Sequence, residues 1–173
     1  MRQHLILAGL AFTLGAFGWA VVKKEAVLSE GQMVLLELAP VDPRSLMQGD
    51  YMILDYKLLD VLAKHELNRT GGTPEHEFRD GLVILKLDER RVGRFSRLED
   101  GSPLSADELR LTFKKRGASI QLGAESFFFQ EGSADTFNVA RFGELRVDDD
   151  GTSILVGLRD ESLRVLGAEQ RLH

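Results

Sequence analysis

Residues of types and spacings that could do chemistry are few in this chain, and most crowd into one stretch. Asp42-Pro43-Arg44-Ser45-Leu46-Met47-Gln48-Gly49-Asp50-Tyr51 runs directly into Met52-Ile53-Leu54-Asp55-Tyr56. Arg44 carries a planar fork of donors that pairs with carboxylates, and Asp50 and Asp55 are the acids to watch beside it. Buried, such a pair pins the turn onto the strand that follows; exposed, Arg44 reaches out to a partner's carboxylate. The pinning role is the expectation. Pro43 fixes φ, Gly49 supplies a positive-φ position, and Asp50 can accept from nearby backbone N–H groups. In the extended chain beyond, Tyr51, Ile53 and Asp55 share one face while Met52, Leu54 and Tyr56 share the other. The two tyrosines therefore cannot form one site unless the strand bends.

The remaining candidates are weaker. Ser45 has no base paired with it in the sequence, so it is no activated nucleophile. His65-Glu66 and His76-Glu77 could in principle ligate zinc, but their spacing fits no metal pattern and solvated side chains are expected. Asp148-Asp149-Asp150-Gly151 is similar to the start of a calcium loop, yet the position where the bidentate Glu should fall holds Leu158 or Arg159. A hairpin turn is the expectation there. Glu131 and Arg141 raise the same pairing question as Arg44. No metal site, cofactor or catalytic residue is expected.

Bulk properties narrow the classes further. The chain has 173 residues, a net charge of -5 and no cysteine. That length suits one domain with its own core once a terminal segment is set aside. The acidic balance argues against nucleic acid, which needs a basic face. Without cysteine there is no disulfide scaffold, thiol catalysis or Cys-zinc site.

The N-terminus carries the strongest signal. Leu5 to Val22 holds no charge, and Lys23-Lys24 follow. Eighteen helical residues reach about 27 Å, close to the hydrocarbon thickness of a bilayer. Trp19 lies where an interfacial aromatic would sit, and the two lysines can snorkel. A cleaved signal peptide is the alternative, but its apolar region is usually shorter and Ala16-Phe17-Gly18 is a poor cleavage site. The expectation is an uncleaved signal-anchor over 1–24, in the inner membrane by residues 5–22, with the body exported to the periplasmic side. A polar tether over 25–32 and a single domain over 33–173 follow.

Within that domain the apolar pattern is mostly short and β-like. Strands are predicted over Met33–Leu38, Met52–Tyr56, Leu109–Phe113 and Ser119–Leu122, with hairpins around Asp88–Arg91 and Asp148–Gly151. The aromatic run Glu125–Gln130 is expected to lie centrally in a sheet. One helix is predicted over Lys57–Arg69, with Leu58, Leu59, Leu62 and Leu67 at helical spacing, and a short one over Ala134–Arg141. The fold class expected is mainly β (α+β): an antiparallel sheet or partial barrel with one or two short helices, preceded by one N-terminal transmembrane helix.

Gly49-Asp50-Tyr51-Met52-Ile53-Leu54-Asp55-Tyr56 matches G-D-Y-x-x-L-x-Y at every fixed position, and so resembles the bacterial GDYXXLXY family of membrane-anchored proteins. Phe128-Phe129-Gln130-Glu131-Gly132 and Ala140-Arg141-Phe142-Gly143-Glu144-Leu145 look similar to its downstream pattern. The resemblance implies a partner: family members tend to lie beside multi-spanning membrane proteins of unknown function. It implies no chemistry. Together the readings make Arg44, Gly49, Asp50, Tyr51, Leu54 and Tyr56 a candidate binding surface on a non-catalytic accessory module. The alternative is a hydrolase related in architecture to signal peptidases, because Pro43-x-x-Leu46-x-x-Gly49-Asp50 is similar to a segment of that family. Val41 and Asp42 stand near where its nucleophile would be, and Lys86, Lys114 and Lys115 look solvent-facing, so the constellation is missing.

Overall fold

The computed structural model describes residues 2–39, 47–48, 51–69, 78–117 and 119–167. A long helix, α1 (Arg2–Glu30), leads into β1 (Gln32–Glu37), β2 (Met47–Gln48) and β3 (Tyr51–Ile53). Then come α2 (Lys57–Arg69), β4 (Phe78–Leu87), β5 (Gly93–Leu98), β6 (Glu108–Arg116), β7 (Ser119–Gln121) and β8 (Ser126–Phe128). A single turn, α3 (Ala134–Phe137), precedes β9 (Phe142–Val147) and β10 (Ser153–Arg159).

The strands form three antiparallel sheets, ordered β1-β9-β10, β2-β3-β8 and β5-β4-β6-β7. Isolated bridges Leu35↔Val92 and Leu38↔Tyr56 stitch β1 to the other two, and Thr112 N–H donates to Gly151 O from the far side. The result is a half-barrel around one core that includes Val34, Leu36, Leu85, Leu111, Phe113 and Leu145. The mainly β, antiparallel expectation holds. So does the helix over Lys57–Arg69: Leu58 and Leu62 are buried, whereas Leu67 is exposed. The aromatic run is not central, because β8 is an end strand of its sheet. Phe127 and Phe129 pack on Phe137 while Phe128 turns outward, so a continuous apolar run here reflects two separate contacts rather than two buried faces.

One turn recurs three times. In Asp88–Val92, Asp148–Thr152 and Asp160–Arg164 the aspartate carbonyl accepts from the residue three on, and its carboxylate accepts from the backbone N–H four on. The fourth residue is left-handed each time: Arg91 at φ 64°, Gly151 at 86° and Leu163 at 62°. This is the type I turn with a left-handed residue that joins antiparallel strands without splaying them. The first two are the predicted hairpins; the third folds Val165 back onto Arg159.

α1 projects from the body. Leu7, Leu10, Phe12, Leu14, Phe17, Trp19, Val21 and Val22 are exposed, while Val27 is buried at the helix base. The segment expected as a tether is helical as far as Glu30. Gly31 closes the helix, its N–H donating to Val27 O at 3.0 Å, and its own carbonyl accepts from Arg146 Nη1 at 3.1 Å. A side chain at Gly31 would place its Cβ 2.2 Å from Val27 O, so glycine is required for this close junction. Among the described residues, no helix is long and apolar enough to cross a membrane. The side chains of residues 2–6 and 8, where the charge-free run begins, lie outside that description.

Candidate functional site

The second half of the signature is built into the core. Met52, Leu54 and Tyr56 are buried, and Tyr51, Ile53 and Asp55 face outward, which is the alternation expected of this strand. The Tyr56 ring is fully enclosed and its hydroxyl donates to Ala124 O at 2.7 Å. Burial pushes the phenol well above its ordinary range, and the nearby Glu125 carboxylate adds to the rise. Glu125 is itself engaged, accepting from the Leu122 and Gly123 N–H groups.

Tyr56 also explains a downstream glycine. A Cβ at Gly143 would sit 2.9 Å from Tyr56 Cε1 and 3.0 Å from its hydroxyl. The Phe142-Gly143-Glu144 segment must therefore leave this space open for the signature's last residue. Leu38 N–H donates to Arg141 O, and Ala39 N–H to Asp55 O, so the same corner ties β1, β9 and the end of the signature by backbone bonds.

The half-buried Tyr51 and the exposed Ile53 lie on the other side of the strand. Tyr51 lies on Phe128 with ring centroids 5.6 Å apart, across the register pair Tyr51↔Phe128. Phe128 is 73% exposed and Ile53 48%. Beside them Phe127, Phe129, Phe137, Val156 and Leu166 line a hollow of about 420 Å³. Arg44, Gly49 and Asp50 lie outside the described residues, as do Ser45 and His76-Glu77. Of the six signature-surface residues, Tyr51, Leu54 and Tyr56 can thus be located, and they do not converge: one faces out and two face in.

Several of the other candidates can be located among the described residues. His65 is exposed and packs against Phe95, with centroids 5.5 Å apart. The Asp148 carboxylate accepts from Thr152 N–H at 2.7 Å and so caps the hairpin turn expected there. Among the described residues no group of three or more His, Cys, Asp or Glu could hold a metal ion. Arg141 donates to Ala140 O at 3.1 Å, and Glu131 is exposed.

Lys115 corrects an expectation. Lys86 and Lys114 are exposed, but Lys115 is 6% exposed and its Nζ lies 3.7 Å from Oε2 of Glu66, which is 3% exposed. The signal was in the alternation: Leu109, Leu111 and Phe113 share the inward face of β6, and Lys115 is the next residue on it. Glu66 follows Leu58 and Leu62 at four-residue spacing on the buried side of α2. The pair joins helix to sheet. A second one, Arg159 Nε to Glu144 Oε2 at 2.8 Å, joins β10 to β9, while Arg159 Nη1 holds Leu163 O of the last turn.

No curated protein and no solved structure matches this chain. The family model described as GDYXXLXY protein matches residues 13–158, which takes in most of α1, the signature strand and the sheet carrying Gly143. The chain belongs to the GDYXXLXY protein family.

Proposed function

We propose that this protein is an accessory binding module held in the inner membrane by residues 5–22 of α1, with its β-rich body on the periplasmic side, and that it acts by docking on a multi-spanning membrane protein. The observation that carries the reading is α1 itself. Its large apolar side chains from Leu7 to Val22 point in all directions around the helix and none is covered by the body. A helix apolar on every side is normally buried in protein or in lipid. An exposed apolar surface of this extent marks a contact with one of the two. Lys23 and Lys24 at the end of the charge-free run suit a headgroup boundary.

The test is fractionation followed by capture. The full-length protein should stay with membranes through carbonate and high salt, and L14R with F17R should release it as a folded protein. In mild detergent it should bring down a multi-spanning protein, with less recovered for Ile53→Asp. Wild type released by carbonate would refute the anchor; a membrane-retained protein that brings down nothing would refute the accessory role.

A further inference from the structure

The path of the chain separates the two ends of the molecule. Gln32 pairs with Val147, and Val147 with Ser153, so the base of α1 lies at the end of the sheet that carries the Asp148–Thr152 turn. β1 then runs away from that base for six residues, about 20 Å at strand rise. At its far end Leu38 bridges Tyr56 antiparallel, and Ala39 N–H donates to Asp55 O. Tyr56, the last residue of the signature, therefore meets β1 at the end away from α1. The helical residues 23–30 add about 12 Å between the charge-free run and the body. Val27, Gly31 and Arg146 close the junction between helix and sheet.

The outward face at that remote end has a definite chemistry. Tyr51 and Phe128 form one row, Ile53 and Ser126 the next, and Asp55 follows on the same face of the chain. Among the described residues of this face the one charge is negative. An aromatic pair beside an aliphatic residue is the composition of an interface centre. Neither the acid nor the protein's net charge of -5 suits an anionic lipid surface.

We propose that the Tyr51–Ile53–Phe128 face docks on an extramembrane surface of the membrane-protein partner, one with an apolar centre and a Lys or Arg opposite Asp55, and not on the bilayer or on the partner's spanning helices. The proposal rests on the anchor reading above. The strand that carries Tyr51 and Ile53 meets β1 at Leu38, the end away from α1, so an anchored molecule holds the face away from the headgroups.

The test uses the full-length protein in its own membranes with photoreactive benzoylphenylalanine placed singly at Leu14, Ile53 and Phe128. The Leu14 probe should label lipid. The Ile53 and Phe128 probes should give an adduct whose mapped peptide lies in a loop or soluble domain of a multi-spanning protein. Asp55→Lys should lower the Phe128 adduct about tenfold, the loss of one interfacial anchor, with the melting temperature unchanged. Lipid adducts at Ile53 and Phe128, adducts within a spanning helix, adducts to a second copy of this chain, or no adduct while Leu14 labels lipid would each overturn the proposal alone. A Leu14 probe that labels no lipid would remove the anchor, and the proposal with it.

Discussion

At the scale of single residues, the two signature tyrosines do different work because a strand sends neighbouring odd and even positions to opposite faces. Tyr56 is a core residue whose hydroxyl satisfies a backbone carbonyl; Tyr51 is a half-buried aromatic packed on the exposed Phe128. Tyr56→Phe removes the donor and leaves Ala124 O unpaired in the core, a cost of about 1–3 kcal/mol in urea unfolding. The raised Tyr56 phenol adds a pH signature. Below about pH 10 both folded and unfolded states keep the proton; above it the unfolded state loses it first, so stability falls as pH rises. Tyr56→Phe should flatten that alkaline limb. The alternation that separates the tyrosines was legible in the sequence. The same alternation places Lys115 inward, against the reading that its charge keeps it in solvent. Lys115→Met alone takes the cation away from the buried Glu66 carboxylate and should cost about 3–5 kcal/mol, while Lys115→Met with Glu66→Leu should recover part of that loss. A thermodynamic cycle of the two variants and their double checks it.

At the scale of elements, the hairpins were readable because Asp-led turns and β-branched or leucine-rich runs are local signals. β8 was misplaced because an aromatic run says that both faces touch something, not that strands lie on both edges. The extra turn at Asp160–Arg164 was not legible, since Leu163 is a poor residue for a left-handed position and its conformation comes from the Asp160 bonds and from Arg159 gripping its carbonyl. The exposed Arg91 occupies the equivalent place in the first hairpin at φ 64°. Arg91→Gly relieves that backbone strain and should raise stability by roughly 0.5–1 kcal/mol. A destabilised Arg91→Gly in thermal unfolding would mean the arginine makes a contact that outweighs the strain.

At the scale of the whole molecule, β1 joins the base of α1 to the strand that ends the signature, with Leu38 bridging Tyr56 at the end away from the helix. No local pattern could reveal this, because it depends on the long-range pairings Gln32↔Val147 and Leu38↔Tyr56. The charge-free run was visible at once; what β1 joins it to was not. The chain has no cysteine, so single engineered thiols report their surroundings without background. The most direct measurement is the labelling rate of Leu14→Cys and Glu89→Cys, the latter on an exposed turn away from the docking face, by a membrane-impermeant maleimide in intact spheroplasts and after detergent. Fast labelling of Glu89→Cys is expected in intact spheroplasts, and of Leu14→Cys only after detergent. Labelling of Leu14→Cys as fast as Glu89→Cys while membranes are intact would contradict the anchor.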